Sequence, residues 1–476
     1  MSSSGELRVL SPGDLDAPAR VYPWSRSTAE SAVAKARNAA PQWAATPLPA
    51  RLELLKALRA RFVAHKDAFA RLLGVEVGKP LWEGAQEAQL LANKIDSTLD
   101  EGLKLVAPHQ PAGVDGEWRY RPHGVLVVIG PFNFPVHLPN GHIVPALAMG
   151  NTVLFKPSEL TPAVGALYGQ CVAEAGFPDG VFQIVQGERS IGEYLSQDAE
   201  VDGVLFTGSV AVGNAIARAN VDRPGKLLAL ELGGKNAALV FEDADLDRAA
   251  YQVAYGAYIT AGQRCSSTSR VLVQRSAVDR VQAKLTAIAK NAVVGHFENA
   301  GAFLGPLVSE AAKAKFIAAV AAADATAIVR SGEATVAGKR GHYLRPSLHR
   351  VERLSPGSPY QTQELFGPDL AIYVFSDEAE GLALANDTEF GLCASVFTGD
   401  RARFDRLADG LRAGVINWNS PTVGASGKLP FGGVGNSGNH RPAGIFSALY
   451  CSWPAALSYG LSGPSPAAPA PGLSAT

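Results

Sequence analysis

The residue best suited to nucleophilic chemistry in this chain is Cys265, in the segment Gly-Gln-Arg-Cys-Ser at positions 262–266. Arg264 precedes it directly, and the small neighbouring residues leave the thiol accessible. Because a nearby positive charge lowers the pKa of a thiol, this pairing favours a reactive thiolate. A lone cysteine is more often a small buried apolar residue, the interpretation that we give to Cys171, Cys393 and Cys451.

Two polar side chains adjoin apolar runs of the kind that form buried strands. Asn133 lies between Pro131 and Pro135, and the prolines fix the backbone so that the amide presents a preorganised hydrogen-bond donor. Glu231 ends an apolar run and precedes two glycines. Taken singly, a tight turn also explains the asparagine, and a turn that ends a strand also explains the glutamate.

Candidate contacts for a dinucleotide follow two further apolar runs. Lys156, Ser158 and Glu159 come directly after the run at 153–155, and a cation near an acid suits the two hydroxyls of a ribose. A surface ion pair explains the same residues. Gly208, Ser209 and Gly213 follow the run at 204–206, where backbone N–H groups at a helix start suit a pyrophosphate. This second pattern lacks the full GxGxxG, so a glycine turn explains it equally well.

Short apolar strands alternating with helices must position these side chains. In the first series, each apolar run is followed by Gly, Pro or Ser and then by a helical stretch, which is typical of βαβ units in a parallel sheet. Its strands are predicted at 125–129, 153–155, 182–185 and 204–206. A second α/β series, from about 237 to 430, has strands predicted at 271–273, 370–375, 394–398 and 415–418. Ligands of such sheets bind beyond the carboxyl ends of the strands.

Helix signals dominate the first hundred residues and recur between the strands. Ser27 and Glu30 form a capping box ahead of an alanine-rich run. Apolar residues then recur at helical spacing, namely Leu55, Leu58 and Phe62. Later helices are predicted to begin at Pro162, after Thr161 as the cap, and after Ser209.

Length and composition restrict the class of protein. With 476 residues, 47% of them hydrophobic, the chain is predicted to form two or three lobes. A formal net charge of -1 offers no basic face for nucleic acid. We find no signal peptide, no membrane span and no metal-ligand cluster, so we expect a cytoplasmic protein without a metal. Residues 460–476 consist of small residues and prolines and are predicted to be a disordered tail.

Taken together, the motifs identify a family. The chain resembles the aldehyde dehydrogenase superfamily, short of the tail, in the order and spacing of its motifs. These are Gly130–Pro135, Lys156–Glu159, Gly208–Gly213, Glu231–Gly234, Gly262–Cys265, Glu364–Pro368 and Pro430–Gly433. The resemblance implies an α/β fold of two Rossmann-like lobes plus a small β oligomerisation element. It implies an NAD-binding domain at 1–104 and 124–233, a catalytic domain at 234–436, and bridging elements at 105–123 and 437–459.

The resemblance also implies a reaction. Hydride leaves an aldehyde readily only after a nucleophile has made its carbon tetrahedral, and Cys265 is that nucleophile. The Asn133 amide and the backbone N–H of Cys265 meet the negative oxygen, and losing one such donor typically costs about 3 to 4 kcal/mol of barrier. Glu231, its pKa raised by an apolar wall, is the general base that hydrolyses the thioester.

The cofactor expected from the resemblance is NAD. It places Lys156 and Glu159 at the adenosine ribose, the glycine segment 208–213 at the pyrophosphate, and Glu364 with Phe366 around the nicotinamide ribose. A carboxylate facing the 2′-hydroxyl would repel a 2′-phosphate, so Glu159 favours NAD over NADP.

Three stretches resemble one branch of the superfamily, the enzymes that oxidise a succinylated glutamate semialdehyde in arginine breakdown. They are His137–Leu147, Lys156–Pro162, and Ser437–Pro442 followed by Tyr450–Pro454. The chain departs from that branch at Leu232, usually Met there, and at Lys235, usually Asn. Other semialdehyde or broad aliphatic aldehyde dehydrogenases remain alternatives, as does a non-catalytic binding protein, although a non-catalytic copy has no physical reason to keep Cys265, Glu231 and Asn133.

Partners follow the same reasoning. We expect a small aldehyde substrate, no nucleic acid or membrane, and a homodimer or homotetramer formed through a β-hairpin near 105–123, where Trp118 and Tyr120 alternate with polar residues. A substrate with distal carboxylates needs cations, and Arg264, His440 and Arg441 are candidates. An arginine after a glycine-rich loop is as often an anchor of backbone carbonyls.

Overall fold

A computed structural model describes residues 4–459 and 471–472. The predicted disordered tail at 460–476 lies outside the described residues except for that last pair. Within the described residues, no helix is long and apolar enough to cross a membrane. The same residues contain no group of three or more His, Cys, Asp or Glu side chains that could hold a metal ion.

The chain opens with an antiparallel strand pair and four helices. The pair is β1 (Ser4–Val9) and β2 (Arg20–Ser25), followed by α1 (Arg26–Ala45), α2 (Leu48–Ala64), α3 (Lys66–Val77), α4 (Leu81–Asp100) and β3 (Gly116–Pro122). The predicted helical spacing is confirmed, because Leu55, Leu58 and Phe62 are all buried.

The predicted capping box is wrong by two residues. Strand β2 runs directly to Ser25, so α1 begins at Arg26 and Ser25 is the N-cap, its side chain accepting from the Thr28 N–H at 3.0 Å. Glu30 instead pairs with Arg26 one turn earlier, at 3.0 Å. A strand that leads straight into a helix fixes the helix start, which the capping pattern alone could not reveal.

The first predicted series forms a five-stranded parallel sheet in the order β6-β5-β4-β7-β8. Its strands are β4 (Val125–Ile129), β5 (Thr152–Lys156), β6 (Phe182–Ile184), β7 (Gly203–Thr207) and β8 (Leu227–Glu231). The intervening helices are α5 (His137–Ala148), α6 (Pro162–Glu174), α7 (Arg189–Gln197) and α8 (Val210–Ala219). The strand order reverses between β4 and β7, where doubly wound sheets bind their ligands.

Alternate residues of β4 explain its unbroken apolar run. Leu126 and Val128 pack into a core with α2 and α5, whereas Val125 and Val127 pack into a second core with α1. Because helices cover both faces of the sheet, neither face of the strand meets water.

The predicted start of α6 is confirmed at Pro162, although its cap differs. Thr161 makes no side-chain capping bond. The buried Glu76 carboxylate of α3 accepts the Ala163 and Val164 N–H groups instead, at 2.9 and 3.0 Å. The cap therefore comes from a residue that is remote in sequence.

The second series forms a seven-stranded sheet in the order β11-β12-β13-β10-β9-β14-β15, parallel except for β11. Its strands are β9 (Asn236–Val240), β10 (Thr268–Gln274), β11 (Thr326–Val329), β12 (Ser347–Arg350), β13 (Asp369–Phe375), β14 (Cys393–Phe397) and β15 (Val415–Trp418). Its helices are α9 (Leu246–Tyr258), α10 (Val278–Asn291), α11 (Glu310–Ala321), α12 (Pro359–Thr362), α13 (Glu378–Asn386) and α14 (Arg401–Gly410). The sequence predicted β10, β13, β14 and β15 but missed the other three strands.

The C-terminal segment returns to the first lobe. It contains β16 (Pro430–Phe431), β17 (Ala443–Gly444), α15 (Ser447–Tyr450) and β18 (Ser452–Ser458). β18 pairs antiparallel with β3 along its whole length, from Ser452 opposite Pro122 to Ser458 opposite Gly116. Within the hairpin expected at 105–123, His109 and Trp118 form one isolated bridge, and the main partner of the strand is β18.

Candidate active site

One cleft of about 640 Å³ brings together most of the residues that the sequence singled out. It lies beyond the carboxyl ends of the first sheet and reaches the loop before β10. The predicted residues that line it are Asn133, Lys156, Ser158, Glu159, Gly208, Ser209, Cys265, Glu364 and Phe366. Glu231 and Gly213 do not line it.

A strained turn presents Cys265 to the cleft. The thiol follows the 3-10 turn Ile259–Gly262, in which Thr260 and Ala261 adopt left-handed φ values of 57° and 52°. Such values are unfavourable for residues with a side chain. Gly262, at φ +72°, could not carry a Cβ, which would collide with the Gly367 carbonyl. Asn236 holds the other side of the loop by donating to the Cys265 carbonyl at 2.7 Å.

The expectation that Arg264 activates the thiol is wrong. The guanidinium pairs with the buried Glu83 carboxylate at 3.0 Å and donates to the Thr260 hydroxyl at 2.6 Å. Burial raises the pKa of Cys265 above its ordinary value, and the nearby Glu231 and Glu364 carboxylates raise it further. Because Arg264 is neutralised by Glu83, it does not lower the pKa of the thiol although it directly precedes Cys265 in the sequence.

The other candidate cations for a distal carboxylate lie on the surface. His440 and Arg441 are exposed, with left-handed φ values of 53° and 49°. Neither residue lines the cleft that contains Cys265. For Arg264, its contacts favour the role of a structural anchor.

Asn133 lies at the cleft with its amide fixed. Only 4% of the residue is exposed, and Nδ2 donates to the Gln263 carbonyl at 2.8 Å. An amide nitrogen carries two N–H groups, and this hydrogen bond uses one of them. The same bond ties the loop of Asn133 to the loop of Cys265.

Glu231 is a buried and unpaired carboxyl. It ends β8, is 1% exposed, and neither side-chain oxygen has a hydrogen-bond partner within the described residues. Burial raises its pKa well above the ordinary value, as the sequence predicted. An unpaired buried group of this kind is suited to exchanging protons with a reacting molecule rather than to holding the fold together.

Lys156 and Glu159 form the ion pair that the sequence left open, at the rim of the cleft. The ammonium is buried at the end of β5 and lies 3.4 Å from the exposed Glu159 carboxylate. It also donates to the Pro157 carbonyl at 3.1 Å. Burial lowers the pKa of Lys156 and Glu159 partly opposes this shift. The pair faces the cleft as well as solvent, so it is available to a polar ligand.

The glycine segment packs differently from a phosphate loop. Ser209 caps α8 as predicted, accepting from the Val212 N–H at 3.4 Å. The Gly208 N–H already donates to the Glu231 carbonyl at 3.0 Å. A Cβ at Gly213 would lie 2.7 Å from Leu232, so this glycine lets α8 pack closely against the cleft wall.

Glu364 and Phe366 close the end of the cleft next to Cys265. The Glu364 carboxylate accepts the Gly234 N–H at 3.0 Å, and burial raises its pKa to about 7. Phe366, at φ 57°, meets Phe132 edge to face with 5.8 Å between ring centroids. Both side chains of this end therefore have fixed positions.

The comparisons with known proteins agree with this arrangement. The aldehyde dehydrogenase family model matches residues 1–452. The chain belongs to the aldehyde dehydrogenase family.

Several relatives of this aldehyde dehydrogenase are named for the same substrate. An N-succinylglutamate 5-semialdehyde dehydrogenase of Caulobacter vibrioides is 42% identical over 92% of this chain and 92% of its own length. A protein of the same name from Pseudomonas fluorescens is 42% identical over 93% of this chain and 91% of its own length.

Solved structures of both NAD-dependent and NADP-dependent enzymes share the fold of this chain. The NAD-dependent aldehyde dehydrogenase of Sinorhizobium meliloti has a TM-score of 0.91 and 32% identity, covering 97% of this chain and 93% of that one. An NADP-dependent enzyme of E. coli has a TM-score of 0.89 and 29% identity, covering 96% of this chain and 95% of that one.

Sequence reasoning missed several residues of the aldehyde dehydrogenase cleft. Those lining it include Phe132, Leu138, Arg189, Thr207 and Lys315. Phe132 and Thr207 lie inside or beside motifs that had been noted, so position after a strand could have found them. Lys315 lies on the alanine-rich α11, and its segment carries no local signal for a ligand.

The buried Glu231 carboxyl should make the free energy of unfolding depend on pH. Between the ordinary glutamate pKa and the raised one, the unfolded chain ionises Glu231 while the folded chain keeps it protonated, so the folded state loses stability as pH rises. Glu231→Gln removes this loss. Its stability advantage over wild type should grow by up to about 1.4 kcal/mol per pH unit, measured by urea unfolding at pH 6 and pH 8.

Glu30→Gln is the matched control, because Glu30 belongs to an exposed pair on α1. Its effect on the free energy of unfolding should change little between the two pH values. An E231Q advantage that shrinks from pH 6 to pH 8 would contradict a buried protonated carboxyl.

Proposed function

We propose that this enzyme oxidises N-succinyl-L-glutamate 5-semialdehyde to N-succinyl-L-glutamate with NAD, through a thioester on Cys265. The observation that carries the chemistry is that Cys265 and the fixed Asn133 amide line one cleft, while the unpaired Glu231 carboxyl is near enough to raise the pKa of the thiol. The substrate rests on the name shared by relatives at about 42% identity across nearly the whole chain.

The cleft suits a dinucleotide. Val212, Ile216 and Gly192 line an apolar part between α7 and α8 that is suited to an adenine ring. The Lys156 and Glu159 pair beside it fits the ribose hydroxyls, and Glu364 at the other end fits a second ribose. When bound, NAD accepts the hydride.

The chain's own groups carry out the remaining steps. Glu231 first loses its own proton to solvent, and its carboxylate then takes the proton of Cys265, whose raised pKa keeps it a thiol in the resting enzyme. The sulfur then bonds to the aldehyde carbon, and the negative oxygen meets the second Asn133 N–H and the backbone N–H of Cys265. Loss of hydride from that carbon leaves a thioester. Glu231 releases the thiol proton to solvent and then accepts a proton from the water that attacks the thioester. It passes this proton to the departing sulfur as the carboxylic acid leaves, which re-forms the thiol.

We assign the parts of the chain accordingly. Residues 1–104 and 124–233 bind the dinucleotide, 234–436 form the catalytic lobe, and 105–123 with 437–459 bridge subunits of a homodimer or homotetramer. Exposed Trp118 and Trp453 on the β3–β18 sheet support this last assignment, because exposed aromatic side chains are enriched at interfaces.

A substrate panel tests the proposal. The value of kcat/KM for N-succinylglutamate semialdehyde should exceed that for propanal by about 100-fold or more, since binding energy from remote groups accelerates the reaction. Succinic semialdehyde, which keeps one carboxylate, should fall between them. Initial rates of NADH formation provide the measurement. Equal values for all three would instead support a broad aliphatic aldehyde dehydrogenase.

Cofactor choice provides a second test. Glu159→Gln removes a charge that repels a 2′-phosphate, so the ratio of kcat/KM for NAD over NADP should fall about tenfold, or about 1.4 kcal/mol. The ratio is measured with one aldehyde at saturation. Glu101→Gln, at an exposed pair with Lys104 outside the cleft lining, should leave the ratio unchanged. An unchanged ratio in E159Q would remove Glu159 from the ribose site.

A further inference from the structure

A cluster of buried charges lies next to the active site without lining the cleft. Lys79, Glu83 and Glu87, just before and within α4, are each 2% exposed or less. Arg264 joins them from the catalytic loop. Burying charges is costly unless close partners compensate, so the contacts of this cluster indicate what it holds in place. We call Lys79, Glu83 and Glu87 the α4 clamp.

Glu83 holds the strained turn before Cys265. The Thr260 hydroxyl donates to its Oε1, and Arg264 Nη2 donates to the same oxygen at 3.0 Å. Arg264 Nε donates in turn to the Thr260 hydroxyl at 2.6 Å. A β-branched residue at φ 57° persists only where its surroundings hold it. The Glu83 carboxylate, the Arg264 guanidinium and the Thr260 hydroxyl thus form a closed ring of hydrogen bonds that holds Thr260 in this conformation.

Lys79 and Glu87 hold the loop of the oxyanion donor. The Phe134 ring, adjacent to Asn133, contacts two cations, with Lys79 Nζ 3.6 Å and Arg264 Cζ 4.8 Å from its centroid. Lys79 is itself paired with Glu87 at 2.6 Å. The second Glu87 oxygen accepts the Val136 and His137 N–H groups at 3.4 and 3.3 Å.

We propose that Glu83 is a positioning residue for catalysis, which fixes the sulfur of Cys265 relative to the Asn133 amide by holding Thr260 and Arg264. Both loops are tied to one rigid helix of the first lobe, and Arg264 connects them. Arg264 is therefore committed to the clamp and does not receive the carboxylates of the substrate. This inference rests on the proposed function, since it concerns the geometry of the same nucleophile and donor.

The kinetic test distinguishes two roles: positioning of the Cys265 loop by the α4 clamp, and binding of the substrate carboxylates by Arg264. Glu83→Ala and the near-isosteric Glu83→Gln should lower kcat/KM for propanal and for N-succinylglutamate semialdehyde by the same factor, about 100-fold for Ala and less for Gln. The Kd of NAD, measured by quenching of protein fluorescence, should stay within about twofold because the clamp does not line the cleft. Asp96→Ala, which removes from the same helix a half-buried carboxylate paired with Arg59, is the control and should behave as wild type.

Thr260 provides a matched pair if the Glu83 variants fold poorly. Thr260→Val removes the hydroxyl and should lose activity towards both aldehydes, whereas Thr260→Ser keeps the hydroxyl and should retain it. A readout without turnover is the rate at which iodoacetamide alkylates Cys265. That rate should rise about tenfold in E83A and T260V, because a loosened loop admits water and lowers the pKa of the buried thiol.

Each outcome distinguishes the two claims. Kinetics and alkylation in E83A and T260V that match D96A would overturn the clamp while the proposed function stands. A loss confined to the succinylated aldehyde would also overturn it, because Arg264 would then be serving the substrate. Wild-type protein that oxidises neither aldehyde would refute the proposed function, and the alkylation rates would still decide whether Glu83 holds the loop.

Discussion

The structure depends on the direction of its strands. In a parallel sheet, the carboxyl ends of all strands reach the same edge, so residues far apart in sequence meet wherever they follow a strand. β4, β5, β7 and β8 bring the loops of Asn133, Lys156, Gly208 and Glu231 to that edge. The second sheet contributes Cys265 before β10 and Glu364 before β13 to the same cleft. The two lobes thereby supply different halves of one site.

Burial, more than local charge, sets the chemistry of that site. The thiol of Cys265 and the carboxyl of Glu231 both have raised pKa values because little water reaches them. Two neutral acids form a stable resting state, and the site becomes nucleophilic once Glu231 has lost its proton to solvent and its carboxylate takes the proton of Cys265. The same low polarity strengthens the hydrogen bonds that await a negative oxygen.

The sequence predicted four of the five strands of the first sheet almost to the residue, because buried strands in a parallel sheet carry short unbroken apolar runs. It missed β9, although Asn236–Val240 is fully buried, since it follows directly upon a glycine turn that was read as the end of the previous strand. It also missed the pairing of β3 with β18, because alternation of side chains marks a strand without identifying its partner.

Within the site, residue types were predictable and their contacts were not. The motif order identified Cys265, Asn133 and Glu231. The structure places Cys265 and Asn133 at one cleft, with Glu231 near enough to raise the pKa of the thiol. Arg264 was misjudged because its partner Glu83 lies on a helix far away in sequence. Gly213 was assigned to a phosphate, whereas a Cβ at this position would meet the Leu232 side chain, a constraint that only the packing of α8 reveals.

The most direct test of this account is the mass of Cys265 after a single turnover. In Glu231→Gln given aldehyde and NAD, one equivalent of NADH should form slowly, because Cys265 lacks its proton acceptor. Peptide mass spectrometry should then find the acyl group on Cys265, because hydrolysis lacks the same base. An acyl group on another residue, or NADH formed over many turnovers by Cys265→Ala, would contradict the assignment of the nucleophile.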